Sequence, residues 1–334
     1  MNSRIHISHG NGGKQTQELI QNTFLKYLNH KNFQSEDSAK IQIQNLNLAI
    51  TTDAHVIKPI FFPGGDIGKL SITGTINDLS VVGAKPLFIT ASFIIEEGFS
   101  IKNLKKILES MKQELIHNQI EFIAGDTKVV SKGEVDEIFI STTGIGTLHK
   151  NSPSGLHSIK EKDKVILSGT MGDHGACIYL LRNQLDFNVE IQSDCNSINF
   201  VIQELLNSCR TVKIMRDPTR GGVGTILNEF VKNQKWGIEI WEDKIPIREE
   251  VRGLCEILGI EAFHLACEGR FVCILSEEET DQALAILRKF HISKEASVIG
   301  EITNRYPSRV ILHTKTGGKR ILDILSNEIL PRIC

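Results

Sequence analysis

Phe61-Phe62-Pro63-Gly64-Gly65-Asp66-Ile67-Gly68-Lys69-Leu70 is the stretch on which the reading of the fold turns. Pro-Gly-Gly makes a turn, and Asp66 stands where a helix N-cap carboxylate accepts the first free amides. The helix that follows is expected to run to Gly83. It carries Gly68, Ser71, Gly74 and Ser80, small residues that let a second backbone or a ligand come close. Asn77-Asp78 falls late in this helix, where a carboxylate opposes the dipole and invites a compensating cation.

Outward from this helix the pattern is strand-rich. Residues 46–52 read as a strand closed by Asp53, and residues 87–95 as another. Ser100 caps a helix with Ile101, Leu104, Leu108, Met111 and Leu115 at helical spacing. Residues 120–124 form a short strand ending in Gly125-Asp126-Thr127-Lys128, and 135–145 a further one. A helix with Leu19, Ile20, Phe24 and Leu28 precedes all of this, and 29–40 read as a polar connection. Loop-like sequence at 150–162 marks a domain boundary. Beyond it come strands at 164–167, 237–241, 270–275 and 309–314, with Ser168–Gly175 and Met215–Gly222 each opening a helix. The fold class is therefore α+β, in two α/β-type domains. The expected divisions are an N-terminal segment and helix at 1–40, a first domain at 41–150, a second at 151–316, and a mobile tail at 317–334.

Length and composition set bounds. A chain of 334 residues favours two domains. A net charge of -2 and 6% aromatic residues argue against a nucleic-acid partner. No stretch resembles a membrane span or a signal peptide, so no membrane partner and a cytoplasmic location are expected. Seven cysteines, an odd number without CxxC spacing, do not make a disulfide framework. His6 and His9 read as a local hydrogen-bonding pair, for want of a third soft ligand.

Five carboxylates beside glycine turns or element ends stand out: Asp53, Asp66, Asp78, Asp126 and Asp217. Singly, each reads as a cap or turn residue. Together they suit a magnesium–nucleotide site, since magnesium takes oxygen ligands and shares them with phosphates. Neither a Walker A sequence nor a GxGxxG after a strand is present, so Gly10–Gly13, Gly64-Gly65 and Gly221-Gly222 are the alternative phosphate cradles. Lys128 is balanced between a charge on a phosphate and an exposed strand-end lysine. Glu268, just before a buried strand, is a candidate base or a solvated loop glutamate. Arg216 and Arg220 flank Asp217 as phosphate clamps or surface ion pairs. The last residues, Leu330-Pro331-Arg332-Ile333-Cys334, put a thiol on a short arm that Pro331 stiffens.

In order along the chain, HGNGG at 9–13, TTD at 51–53, FFPGGDIGKL at 61–70, GTINDLSVVGAKP at 74–86, AGDTKVV at 124–130, TTGIG at 142–146, GDHG at 172–175, MRDPTRGG at 215–222, EGR at 268–270 and the final PRIC resemble the hydrogenase maturation factor family HypE, the carbamoyl dehydratases of nickel–iron hydrogenase assembly. Aminoimidazole ribonucleotide synthetase, selenophosphate synthetase and thiamine monophosphate kinase are similar more distantly, and the PRIC ending separates HypE from them. Asn11, where serine is common, and Cys267, where asparagine is usual, are departures that remove no charge.

The resemblance implies that the protein is its own substrate. A carbamoyltransferase, HypF, would load Cys334 as a thiocarboxamide. ATP with Mg2+ would activate the carboxamide oxygen, and the thiocyanate formed would pass its cyanide to iron on a HypC–HypD scaffold. It implies Cys334, Glu268 and Lys128 as catalytic residues, and Asp53, Asp78 and Asp126 as metal ligands. Gly64, Gly65, Asp66, Thr127, Arg216 and Asp217 would join Asp53, Asp78 and Asp126 around the nucleotide. The first domain would bind ATP and contribute strands to a homodimer β-barrel. Two readings compete. One is another ATP-dependent synthetase or kinase of this superfamily, indifferent to loss of Cys334. The other is a non-catalytic scaffold that uses the thiol to hold a metal or partner.

Overall fold

The computed structural model describes residues 5, 9, 14–28, 37–184, 190–324 and 333–334. The Gly10–Gly13 cradle, His6, Asn11 and the Pro331-Arg332 arm lie outside the described residues. Two short helices, α1 (Lys14–Leu19) and α2 (Leu25–Leu28), flank a π-helical turn at Ile20–Phe24.

The first sheet begins with β1 (Ala39–Ile43) and β2 (Leu46–His55), joined by a tight turn with Gln44 at positive φ. A small hairpin, β3 (Phe61–Phe62) and β4 (Gly65–Asp66), carries the Pro-Gly turn into helix α3 (Ile67–Val81). Then come β5 (Ala84–Glu96), α4 (Ile101–Asn118), β6 (Glu121–Val130) and β7 (Ile138–Leu148). The strand order is β1-β2-β7-β5-β6, antiparallel except for the β5–β6 pair, which α4 connects as a crossover helix.

Both caps expected from the sequence are present. Asp66 Oδ1 accepts from the amides of Gly68 (2.7 Å) and Lys69 (3.0 Å), and Ser100 Oγ accepts from Asn103. Nearly all of α3 is buried, as befits a helix enclosed on every side. Its small residues are placed for contact: a Cβ on Gly68 would stand 2.3 Å from the Ile107 carbonyl of α4, and one on Gly74 3.1 Å from the His55 ring.

The second sheet is built from β8 (Lys164–Leu167), β9 (Val212–Arg216), β10 (Gly237–Trp241), β11 (Val272–Leu275), β12 (Ser297–Thr303), β13 (Val310–His313) and β14 (Lys319–Ile321), in the order β14-β13-β10-β12-β8-β11-β9. Helices α5 (Asp173–Asn183), α6 (Asn199–Ser208), α7 (Gly222–Val231), α8 (Glu249–Leu258) and α9 (Thr280–Leu287) lie between them. Gly317-Gly318, expected to open the tail, turns the chain from β13 into β14, so residues 319–321 belong to this sheet.

The two sheets share one apolar core, which runs from Ile72 and Ile89 through Phe62 and Cys177 to Val165 and takes in Ile333. Polar ties reinforce it. The Asn77 side chain, late in α3, donates to the carbonyls of Asn196 (3.0 Å) and Glu268 (3.1 Å) and accepts from the Ile198 amide (2.9 Å). These bonds saturate a buried amide and hold the loops at 196 and 268 against the first domain.

Candidate active site

Asp78 leaves α3 toward β2. Thr51 Oγ1 donates to its Oδ2 at 2.8 Å, and Ser38 Oγ to its backbone carbonyl. Carboxylate oxygens of Asp37, Asp78 and Asp217 all lie within 4.8 Å of one another. Burial drives the Asp78 carboxyl well above the ordinary range, and the charges of Asp217, Asp53 and Asp37 drive it further. For Asp217 burial and then Asp37 raise the value to about 8. The Arg216 guanidinium offsets part of this charge, and three carboxylates this close to one cation still favour a further positive charge. Asp217 Oδ2 is buried and accepts no hydrogen bond among the described residues, so a ligand position stands ready. An all-oxygen donor set of this kind fits magnesium.

Asp53 is the next carboxylate along β2. Its Oδ1 accepts from the Ala54 amide (2.8 Å) and lies 3.4 Å from Arg220. Burial would raise this group, but His55 and Arg220 hold it below its usual value. Arg216 lies 2.6 Å from Asp37 and 3.6 Å from Glu229. A cavity of about 610 Å3 opens beside Asp37 and Arg216, bordered by Gln17, Lys40, Lys213 and Phe230.

Cys334 docks near the end of β2. Its carbonyl accepts from the Val56 amide at 3.0 Å, and the Ile333 carbonyl meets His174 Nε2 at 2.8 Å. The thiol lies in the field of Arg220, Glu268 and Asp53. Burial pushes that thiol up to about 12, Arg220 pulls it down, and Glu268 and Asp53 push it up again. Glu268 is buried with Oε1 unpartnered. Burial first, then Asp217, Asp194 and Asp53, lifts its carboxyl well above the ordinary range. Its amide donates to Asp194 Oδ1 at 3.0 Å. Cys267 beside it is fully buried, and its sulfur accepts the Gly172 amide.

The expected site residues therefore divide. Asp53, Asp78, Asp217, Arg216, Glu268 and Cys334 converge. Asp66 is spent on the α3 cap and on Ser110, whose hydroxyl donates to the same Oδ1 at 2.7 Å. Gly64, at φ +94, is backed by the Ser193 carbonyl, 2.6 Å from where a Cβ would sit, and Gly65 by the Phe62 ring. Asp126, Thr127 and Lys128 are elsewhere, on the exposed strand β6. Asp53 is in register with Thr142, Ala91 and Gly125 across the sheet. Asp126 is thus three strand spacings away, about 14 Å, and on the opposite face. Of the three expected metal ligands only Asp78 is in the cluster: within one chain neither Asp53 nor Asp126 joins it, and Asp217, expected at the nucleotide, and Asp37, not singled out in the sequence, take their places. The signal for Asp37 was slight: an acid in a polar run immediately before a strand.

Two family descriptions match the chain, "AIR synthase related protein, N-terminal domain" over residues 35–148 and "AIR synthase related protein, C-terminal domain" over 160–313. The carbamoyl dehydratase HypE of Escherichia coli K12 is 40% identical over 338 residues, covering 99% of this chain and 100% of that protein. The chain belongs to the HypE family. A putative hydrogenase expression/formation protein of Methanocaldococcus jannaschii is 42% identical, with 99% and 100% coverage. Among solved structures, HypE from a HypE–HypF complex superposes with a TM-score of 0.87 at 42% identity, covering 92% of this chain and 99% of that one. A hydrogenase maturation protein HypE in complex with ATP superposes at 0.83 with 37% identity, covering 99% and 100%.

Proposed function

We propose that this chain is an ATP-dependent carbamoyl dehydratase of nickel–iron hydrogenase maturation, acting on a carboxamide carried by its own Cys334. The observation that carries the reading is the docking of Cys334, whose main-chain oxygen accepts the Val56 amide three residues beyond Asp53 and whose thiol feels the charges of Arg220, Glu268 and Asp53. Relatives named carbamoyl dehydratase and a HypE structure with ATP support it.

The chemistry balances. The thiocarboxamide oxygen takes the terminal phosphoryl group of ATP and leaves as phosphate. Both nitrogen protons depart, and the carbon is left triply bonded to nitrogen as a thiocyanate. ADP, phosphate and a proton are the other products. Asp37, Asp78 and Asp217 would hold magnesium, which offsets phosphate charge. The cavity beside Asp37 and Arg216 is sized for the rest of the nucleotide. Glu268, unpartnered and raised, accepts a nitrogen proton, and Arg220 orients the sulfur.

The same proposal includes a homodimer. Every β6 residue from Glu121 to Val129 is exposed, with Phe122, Ile123 and Val129 at 45%, 52% and 64%, on a strand that among the described residues is paired on one side only. A second copy covering that edge gives Asp126, Thr127 and Lys128 a role across the interface. A HypF-type carbamoyltransferase, as in the HypE–HypF complex, is the proposed loading partner, and a HypC–HypD scaffold the acceptor. A cytoplasmic setting agrees with seven cysteines that are all free.

The test is mass spectrometry of the peptide bearing Cys334 after incubation with the carbamoyltransferase, carbamoyl phosphate and ATP. A carboxamide adduct that becomes a thiocyanate only when ATP is added is expected. An unmodified Cys334, with a demonstrably active partner, would overturn the proposal.

A further inference from the structure

His174 is buried at the start of α5, and the reaction proposed above makes no use of it. Its Nδ1 lies 2.8 Å from Ser193 Oγ and its Nε2 lies 2.8 Å from the Ile333 carbonyl. The two contacts fix the tautomer. Ser193 Oγ already accepts the Cys195 amide at 3.0 Å, so its own proton is free to go to Nδ1. The ring proton then resides on Nε2 and is donated to Ile333. Burial depresses the imidazole below its ordinary value, which keeps it neutral. Phe62 packs edge-on at 5.5 Å and sets the ring plane.

Segment 193–195 reaches further. The Ser193 amide donates to the Pro63 carbonyl at 2.9 Å, and Asp194 Oδ1 takes the Glu268 amide. One short segment therefore orients His174 on one side and the loop of Glu268 on the other.

We infer that His174, oriented by Ser193, is a positioning residue that latches the residue before Cys334 and so holds the thiol at the reaction site. It touches neither the sulfur nor the reacting carbon, and it acts through the Ile333 carbonyl. Release of this one bond, with the Val56–Cys334 bond beside it, frees Ile333 and Cys334 for loading and hand-off. The significance of the latch rests on the reading of Cys334 as carrier, but the latch itself is measurable without turnover.

The experiment is the rate of Cys334 alkylation by iodoacetamide, followed by peptide mass spectrometry on the full-length protein without ATP or partner. The docked thiol of the unmodified protein is expected to react slowly. His174→Ala should speed labelling about tenfold or more, the effect of leaving a buried carbonyl unpaired. His174→Gln, whose amide can still donate to Ile333, should restore most of the protection. Ser193→Ala should give an intermediate rate, because the tautomer is no longer fixed, and it decides the matter if circular dichroism shows His174→Ala unfolded. Labelling of a folded His174→Ala at the unmodified rate would overturn the latch, as would Gln and Ala variants that label equally fast. Failure of the dehydratase reading would instead appear as a latch that works and a Cys334 that never becomes a thiocyanate.

Discussion

Glu268 is a weak acid at rest because it is buried among other acids. Burial, Asp217, Asp194 and Asp53 all oppose its ionisation, and Arg220 favours it. A base must first lose its proton, so the acid limb of the pH–rate profile should lie above the ordinary carboxylate range. Magnesium bound at Asp217, as proposed, would cancel part of the opposing charge and should move that limb to lower pH. Turnover of the carbamoylated protein, measured as phosphate release against pH at two magnesium concentrations, checks this, and a limb that ignores magnesium would count against it. Glu268→Gln keeps the shape and removes the base, and should slow the step roughly 10²–10⁴-fold while Cys334 still accepts the carboxamide. Much of this site was legible in the sequence. Asp217 and Glu268 lie just outside strands, and Asp53 and Asp78 within the last residues of β2 and the last turn of α3, where a side chain is fixed by the element and still meets its neighbours. Asp37 and His174 were not legible, because their roles depend on partners far away in sequence: Arg216 and Asp217 for one, Ile333 for the other.

At the scale of elements, β6 shows both what a sequence conceals and why. Gly125 reads as the end of a strand. In the fold it is mid-strand, opposite Ala91, because a Cβ there would press on the Phe122 ring at 3.1 Å and the Ala91 carbonyl at 3.3 Å. The glycine serves close packing, and pairing with β5 carries the strand on to Val130. The proposed homodimer needs this apolar edge. Val129→Lys should therefore yield a monomer in light scattering. Its own fold should change by no more than about 0.5 kcal/mol, since the side chain is exposed. A dimer that survives the lysine would place the interface elsewhere. Helix α3 offers a second contrast. Gly68→Ala puts a methyl 2.3 Å from the Ile107 carbonyl, a backbone atom that cannot yield, whereas Gly74→Ala meets the His55 ring at 3.1 Å. In urea denaturation the first should lose about 1–3 kcal/mol and the second clearly less. Equal losses would show that α3 and α4 can slide apart.

Across the whole molecule, the acids gathered between the two sheets couple stability to pH and to metal. Asp78, Asp217 and Glu268 all have folded values raised above their unfolded ones, Asp217 to about 8. Each therefore binds its proton more tightly when folded. The stability this contributes is full below the ordinary carboxylate range, near pH 4, and is lost as pH climbs through the raised values. Without metal the fold should thus weaken between mildly acid pH and pH 8, on top of whatever the surface groups do. A divalent cation competes with those protons for the same oxygens. At pH 5.5 the protons hold Asp217, and added magnesium should gain little. At pH 8 the cluster is open to the cation, and saturation at a hundred times Kd would stabilise the folded chain by about 2.7 kcal/mol. The measurement is the difference in Tm with magnesium and with a chelator at the two pH values, which cancels the contribution of every group remote from the cluster. Asp217→Asn removes the most useful ligand and should shrink the difference at pH 8 toward that at pH 5.5. An equal gain from magnesium at both pH values, unchanged in Asp217→Asn, would mean that the cation binds somewhere other than between Asp37, Asp78 and Asp217.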